Sequence, residues 1–170
     1  KGVILSIHGE VTDEKVDVFD RERVFIEKVL TKIIKKFPNL NIVLEHITSA
    51  DAVKFIEEQS MIAATITIHH LLVNRNIMLS KGIRPDFYCA PILKTEDDRR
   101  ALVKAAITGN DKFFLGTDSA PHLEAHKLAS CGCAGIFSSP LAIPLLIQLF
   151  EKHYSLEQIE SFMSKNGRAF

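Results

Sequence analysis

Runs of apolar residues that end at a histidine or an aspartate constrain this chain more than any other feature. Three such runs lie within residues 4–10, 42–46 and 113–118. Each is long enough for a buried strand, and each places its polar side chain where the strand ends. In α/β barrels the carboxyl ends of the strands carry the chemistry. The runs therefore predict an α/β protein with functional side chains at one end of its sheet.

Strand and helix patterns alternate along the whole chain. Strands are predicted at residues 3–7, 41–44, 62–67 and 112–115, and helices after Asp20, Thr48, Thr95, Ser139 and Ser155. Thr48 with Asp51 and Ser155 with Gln158 resemble capping boxes, Thr95 with Asp98 opens a helix by the same spacing, and Ser139 before Pro140 is the expected N-cap of its helix. Such alternation favours a mainly parallel sheet, either an open doubly wound sheet or a barrel. Four strand–helix units are half of a (β/α)8 TIM barrel, which typically needs about 250 residues. We expect residues 1–170 to form a single partial domain with two open sheet edges that need partners.

Two segments interrupt or end this alternation. Residues 69–94 show no clear period and contain glycine and proline, and a connection of this length is more often functional than idle. The pair Asn166-Gly167 is typical of a helix end, so we expect the last helix to stop there.

Composition excludes several classes of protein. Lys+Arg and Asp+Glu number 21 each, a balance that favours neither a nucleic acid nor an anionic membrane as partner. No apolar run approaches the ~20 residues of a membrane span, and the first residues do not resemble a signal peptide. We expect a cytoplasmic protein. The three cysteines are too few for a disulfide framework, and Cys131-Gly132-Cys133 is expected to form a tight loop with reduced thiols.

The strand ends carry potential metal ligands. Imidazole and carboxylate groups bind Zn²⁺, and three ligands with an open position describe a catalytic site, so His8, His46 and Asp118 are candidates. A histidine at a strand end is also commonly a hydrogen-bonded structural residue. The spacing alone leaves both interpretations open.

Other histidines are weaker candidates. His122 lies four residues beyond Asp118, where it would either bind an anionic substrate group or remain an exposed loop residue. For the adjacent pair His69-His70 we favour a structural role, because neighbouring residues on a strand point to opposite faces.

Six motifs together resemble one family, the bacterial dihydroorotases of the homodimeric type, which belong to the amidohydrolase superfamily. The resemblance runs through the whole chain, in order and with compatible spacing. The motifs are His8-Gly9-Glu10-Val11-Thr12-Asp13, Leu44-Glu45-His46-Ile47-Thr48, Ala64-Thr65-Ile66-Thr67, Tyr88-Cys89-Ala90-Pro91-Ile92-Leu93-Lys94, Gly116-Thr117-Asp118-Ser119-Ala120-Pro121-His122 and Ser130-Cys131-Gly132-Cys133-Ala134-Gly135.

The resemblance implies a metal-dependent active site with two zinc ions. His8 and His46 match ligands of one zinc, and Asp118 matches a ligand of the other that also acts as general base and acid. His8 further lies near the substrate in the family. The implied reaction is the reversible cyclisation of N-carbamoyl-L-aspartate to L-dihydroorotate, in pyrimidine biosynthesis.

The same resemblance implies a set of substrate contacts. His122 matches the residue that binds the substrate carboxylate, and Ala90 and Ala134 fall where the family offers backbone groups to the substrate. The family often has leucine at the position of Ala90, and a backbone contact tolerates that difference.

Parts of the family pattern are missing from this sequence. The chain has no His-x-His strand, and neither Lys1 nor Lys94 fits the carboxylated lysine that bridges the two metals. We therefore expect the C-terminal half of a dihydroorotase, completed by an N-terminal half that brings these ligands, and a homodimer as in the family. Two alternatives remain: a non-catalytic half-barrel, or another cyclic-amide hydrolase such as a hydantoinase or allantoinase.

Overall fold

The computed structural model describes residues 2–170. Lys1 lies outside the described residues, so the structure does not test the prediction that Lys1 is not the bridging lysine. Four parallel strands form one sheet in chain order, β1 to β4. They are β1 (Ile4–His8), β2 (Asn41–Glu45), β3 (Ile62–Ile66) and β4 (Phe113–Leu115). Each predicted strand is confirmed to within one residue at either end.

The strand order decides between the two predicted architectures. A doubly wound sheet reverses its strand order at a switch point, whereas a barrel adds each new strand beside the last. Here every strand pairs with its neighbour in sequence, with His8 opposite Glu45 and Ile66 opposite Leu115. The observed order is that of a barrel segment.

Helices follow the strands. The first is one continuous helical run after Asp20, with π-helical geometry over Ile26–Leu30. Short 3₁₀ turns occupy Pro85–Phe87 and Leu156–Gln158, and a second π-helical stretch is Ser161–Lys165. The α-helical segments are α1 (Arg21–Phe25), α2 (Thr31–Lys36), α3 (Ala50–Glu58), α4 (Ile68–Leu72), α5 (Arg75–Leu79), α6 (Glu96–Ile107), α7 (Glu124–Lys127), α8 (Ser139–Lys152) and α9 (Asn166–Ala169).

The core lies between the sheet and these helices. β3 is buried at all five positions, and large side chains from several elements are fully buried around it, including Leu30, Ile56, Phe113 and Phe150. β1 is different, because Ile4 on this edge strand is 45% exposed. An exposed apolar edge strand is a pairing surface.

Helix ends confirm one prediction and correct three. Thr95 and Asp98 form the predicted capping box of α6. Ser49, not Thr48, caps α3, because its side chain accepts the N–H of Ala52. The N-cap of α8 is Ser138 rather than Ser139. Ser155 precedes a 3₁₀ turn without a side-chain cap, so the box predicted there is wrong.

Two further predictions about irregular segments need correction. Residues 69–94 contain α4, α5 and a 3₁₀ turn rather than a continuous loop. Asn166-Gly167 does not end a helix but begins α9. The Asn166 side chain is buried and donates to the carbonyls of Asn110 (3.2 Å) and Phe113 (3.0 Å), which pins this helix to the start of β4. A Cβ on Gly167 would lie 2.8 Å from the Phe114 ring, so close packing explains the glycine.

The cysteine loop and the helices agree with the remaining sequence expectations. Gly132 adopts a φ of 45°, as a tight turn between Cys131 and Cys133 requires, and all three cysteines are free thiols. None of the helices in residues 2–170 combines the length and apolar character needed to cross a membrane.

A buried carboxylate fixes the segment that follows β2. Glu22 on α1 is 2% exposed and accepts hydrogen bonds from the Thr48 N–H (2.8 Å), the Thr48 hydroxyl (2.9 Å) and the Ser49 hydroxyl. Burial raises the pKa of Glu22. Ser49 both donates its hydroxyl to Glu22 and accepts the N–H of Ala52, so one side chain joins α1 to the start of α3.

Removal of this carboxylate should destabilise the fold. Glu22→Ala leaves three buried donors without an acceptor, and we expect the free energy of unfolding to fall by about 3 kcal/mol. Urea unfolding followed by circular dichroism measures the change. Glu27→Ala is the matched control on the same helical run, where a solvent-exposed ion pair with Arg23 contributes little to stability. Equal losses in the two variants would contradict the assignment.

Candidate active site

Two histidines meet at the carboxyl ends of adjacent strands. His8 is the last residue of β1, and His46 follows β2 directly. The Nδ1 atom of His8 lies 3.1 Å from the Nε2 atom of His46, and the rings contact edge to face. The sequence places these residues 38 positions apart, and the parallel pairing of β1 with β2 brings them together.

The backbone at His46 is held by the next strand. His46 has a φ of 40°, in the left-handed region that non-glycine residues rarely adopt. Its N–H donates to Thr65 Oγ1 on β3 at 2.6 Å, and the Thr65 hydroxyl donates in turn to Glu45 at 2.7 Å. The Ser6 hydroxyl also donates to Glu45. These contacts join β1, β2 and β3 immediately below the two imidazoles.

Electrostatics distinguish the two rings. His8 Nε2 lies 3.1 Å from a carboxylate oxygen of Glu10, and this hydrogen bond raises the pKa of His8. Burial and the neighbouring His8 lower the pKa of His46. His8 is thus an exposed imidazole oriented by a carboxylate, and His46 is a buried one that favours its neutral, ligand-competent form.

Asp118 lies on the loop after β4, near the two histidines but apart from them. Its φ is 41°, its side chain is exposed, and its negative charge acts to raise the pKa of both His8 and His46. Within residues 2–170 the three side chains do not form a cluster whose ligand atoms all lie within 4.8 Å of one another. Gly116 lets β4 approach this end of β3, because a Cβ there would lie 2.6 Å from the Cβ of Thr65.

The predicted substrate-contact residues lie on two adjoining loops. His122 Nε2 is 3.0 Å from the carbonyl oxygen of Ala134, so the structure brings these two residues together. Ala90 lies on the other loop, before a cis peptide bond to Pro91, and is exposed. A hydrogen bond from the Gly135 N–H to the Tyr88 carbonyl (2.9 Å) joins the loops.

In a second group of possible metal ligands, one histidine already has both ring nitrogens hydrogen-bonded to protein atoms. Single ligand atoms of His69, His70 and Cys89 lie within 4.8 Å of one another, a grouping found among the described residues only here. Both ring nitrogens of His70 are engaged, with Thr67 Oγ1 at 2.7 Å and the Pro91 carbonyl at 3.1 Å. Burial raises the pKa of the Cys89 thiol to about 12, which disfavours the thiolate that binds metal.

His69 and His70 are both buried, contrary to the expectation that at most one would point inward. The physical reason is that β3 ends at Ile66 and Thr67 caps α4, so the pair lies on a helix rather than on a strand. The hydrogen bonds of His70 support a structural role for that residue. Among residues 2–170, neither ring nitrogen of His69 has a hydrogen-bond partner, and burial lowers its pKa to about 4.

The pair His8–His46 suits a metal ion. Two imidazole nitrogens bound to one tetrahedral Zn²⁺ at 2.0–2.1 Å lie roughly 3.3 Å apart, close to the observed separation. A metal-bound histidine usually donates its other N–H to a carboxylate, which is the arrangement of His8 with Glu10. The Nδ1 atom of His46 is buried without a hydrogen-bond partner. The donor set therefore fits one metal ion, with further ligands required.

Sequence reasoning assigned no role to Glu10, Glu45 or Thr65. A polar side chain near the end of an otherwise apolar strand was the available signal for Glu45 and Thr65. Glu10 stands two residues after His8, where a carboxylate can reach back to the imidazole. A cavity of about 600 Å³ lies elsewhere, beside Asn74, Arg99 and Gln148.

The architecture has counterparts among amidohydrolase barrels. The L-hydantoinase of Arthrobacter aurescens superimposes with a TM-score of 0.79 at 16% identity, over 98% of this chain and 43% of that one. No protein-family model matches the chain. The parallel strands and the histidines at their carboxyl ends define an amidohydrolase-type barrel segment.

Relatives of higher sequence identity show which family within this class the chain belongs to. The dihydroorotase of Campylobacter jejuni has a TM-score of 0.89 at 36% identity, over 98% of this chain and 47% of that one. The Saccharomyces cerevisiae dihydroorotase, solved with 5-fluoroorotic acid, has a TM-score of 0.87 at 38% identity, over 97% and 49%. A curated dihydroorotase of Shewanella oneidensis is 57% identical over 170 residues, 99% of this chain and 50% of the relative. The chain belongs to the dihydroorotase family and spans about half the length of these relatives.

The hydroxyl of Thr65 should control metal affinity through His46. Thr65→Val keeps the shape but removes the acceptor of the His46 N–H, and such loss of outer-shell support typically lowers metal affinity by about 10–100-fold. Chelator competition on the full-length protein measures this. Thr108→Val, at the end of α6, removes a hydroxyl that only bonds its own helix and should leave affinity unchanged. An unaltered affinity in Thr65→Val would show that His46 is held by other contacts.

Proposed function

We propose that residues 1–170 are a single partial domain, the C-terminal half of a dihydroorotase barrel. The full enzyme would interconvert N-carbamoyl-L-aspartate and L-dihydroorotate in pyrimidine biosynthesis. The observation that carries this proposal is the His8–His46 pair, 3.1 Å apart at adjacent strand ends, in a chain 57% identical to a dihydroorotase. The exposed edge strand β1 supports the need for a second half. By family resemblance we also propose a cytoplasmic homodimer.

The residues divide between two metal ions in this proposal. His8 and His46 would hold one zinc, and Asp118 would hold the other, which accords with its separation from the pair. Both would share a carboxylated lysine supplied by the N-terminal half. When bound, the zinc ions supply Lewis-acid polarisation of the amide carbonyl and lower the pKa of a bound water.

Asp118 would carry the proton in both directions. In hydrolysis its carboxylate accepts a proton from the attacking water while a C–O bond forms at the ring carbonyl carbon. It then returns that proton to the ring nitrogen as the C–N bond breaks. In cyclisation the same carboxylate takes the proton from the carbamoyl nitrogen. The exposure of this side chain, on the loop after β4, supports the role because a substrate can reach it.

His122, Ala90 and Ala134 would hold the substrate. A carbonyl oxygen only accepts, so the contact with Ala134 places a proton on His122 Nε2 and leaves Nδ1 free. The ring of His122 would contact the substrate carboxylate from this loop. The 5-fluoroorotic acid bound by the yeast relative has the same kind of ring and carboxylate. Because the substrate would be held by its carboxylate, its reacting carbon would stay near Asp118. This is an orientation effect.

The role of Asp118 has a direct test in the full-length enzyme. Asp118→Asn keeps the shape but cannot accept the proton, and we expect kcat for dihydroorotate hydrolysis to fall by roughly 10²–10⁴-fold. Steady-state assays in both directions measure the loss.

Two controls accompany this variant. Asp111→Asn changes an exposed aspartate before β4, at the other end of the strand, and should leave kcat unchanged. The isolated 170-residue chain should show no turnover, because it lacks the ligands assigned to the other half. Equal activity of Asp118→Asn and wild type would refute the catalytic assignment, and full activity of the isolated chain would refute the half-barrel assignment.

Substrate preference separates this function from that of other cyclic-amide hydrolases. A site that hydrogen-bonds a substrate carboxylate rejects analogues that lack it, and we expect kcat/KM for dihydroorotate to exceed that for hydantoin or allantoin by about 10⁴-fold. Parallel assays of the three substrates on the same preparation give the ratio. A preference for hydantoin or allantoin would overturn the substrate assignment.

A further inference from the structure

A lysine is buried beneath the loops that carry the proposed substrate contacts. Lys127, the last residue of α7, is 7% exposed. Its ammonium group donates to three backbone carbonyls, those of Tyr88 (2.9 Å), Cys133 (2.8 Å) and Gly135 (2.8 Å). An ammonium group has three donors and no acceptor, so these three contacts satisfy it completely.

This lysine has no carboxylate partner among residues 2–170. Buried lysines are rare unless they are paired, so the three carbonyl dipoles are the direct partners of this charge, with the Asp86 carboxylate acting only from beyond ion-pair distance. Burial lowers the pKa of Lys127. Burying the ammonium group costs desolvation free energy that no ion pair offsets. We infer that the position needs a donor to three carbonyls, which an apolar residue cannot supply.

The three carbonyls belong to the loops of Ala90 and Ala134. Cys133 and Gly135 flank Ala134, and Tyr88 lies two residues before Ala90. Among the described residues, no backbone hydrogen bond uses the N–H of Ala90 or of Ala134. Both N–H groups therefore remain available to a ligand, while the carbonyls beside them are held by one ammonium group.

We propose that Lys127 is a positioning residue that clamps these two loops so that the backbone groups of Ala90 and Ala134 are preorganised for the substrate carboxylate and ring. This rests on the proposed dihydroorotase function. The positive charge of Lys127, close to the N–H groups of Ala90 and Ala134, also favours an anionic ligand at those groups. Fixed dipoles and charges act strongly where water is excluded. The lysine itself does not contact the substrate.

A second lysine provides a matched control. Lys112 also donates to three backbone carbonyls, those of Ile56, Glu57 and Gln59. It precedes β4, at the amino end of the sheet and therefore opposite the candidate active site. Lys112→Met removes the same chemistry far from the substrate loops, so it reports the purely structural effect of losing such a clamp.

The test compares Lys127→Met with Lys112→Met in the full-length enzyme. Without preorganised loops, binding must order them, so we expect Lys127→Met to raise KM for dihydroorotate about tenfold or more. The inhibition constant of 5-fluoroorotate should rise in parallel. Because the ammonium group bonds the Tyr88, Cys133 and Gly135 carbonyls and not Asp118, His8 or His46, kcat should change less than about threefold. Lys112→Met should lower the melting temperature while KM and the inhibition constant stay at wild-type values.

Several outcomes would overturn the proposal. A KM for Lys127→Met within about twofold of wild type, or equal shifts in the two variants, would assign Lys127 to stability alone. If Lys127→Met does not fold, Lys127→Gln, which keeps two donors, is judged by the same criterion, and failure of both variants to fold also overturns it. A wild-type enzyme inactive on dihydroorotate would instead refute the proposed function, so the two failures are distinguishable.

Discussion

The hydroxyl of Thr65 is the point where the sheet and the candidate active site are joined. It accepts the backbone N–H of His46 and donates to the carboxylate of Glu45, which also receives the hydroxyl of Ser6. The same side chain leaves room only for glycine at position 116, where β4 turns toward Asp118. All four strands therefore meet around one threonine. Its contacts set the positions of the candidate ligands at the strand ends.

Buried polar groups elsewhere follow a related logic. Glu22 accepts three donors from the segment after β2, and Lys127 donates to three carbonyls of the loops that carry Ala90 and Ala134. Asn166 secures α9 to the start of β4. In each case a side chain from one element satisfies the backbone or hydroxyl groups of a loop, because such groups are costly to bury unpaired. The loops around the strand ends are consequently held by specific hydrogen bonds as well as by apolar packing.

The sequence predicted the regular elements well because their signals are local. Apolar runs located every strand, and Thr95 with Asp98 located the start of α6. The errors arose where a tertiary contact competes with a local signal. Glu22 binds both Thr48 and Ser49, and it is Ser49 that caps α3, whereas Asn166-Gly167 has the chemistry of a helix end but packs against β4.

The candidate site shows the same division. His8, His46 and Asp118 were found from the sequence because each interrupts or follows an apolar run, and His122 and Ala134 were found through family motifs. Only the tertiary structure showed that His8 and His46 lie 3.1 Å apart, that His122 contacts Ala134, and that Lys127 bonds the loops of both Ala90 and Ala134. No local pattern marks Lys127, which reads as an ordinary charged residue of a short helix.

The sequence by itself determined the alternation of strands and helices, the polar residues at the strand ends and the family to which the motifs belong. These follow from hydrophobic periodicity and from residue type, which are properties of short stretches. The tertiary structure decided which of those residues meet and which buried groups hold them in place. Parallel pairing brings together residues far apart in the chain, and the partner of a buried donor or acceptor is selected by packing rather than by sequence distance.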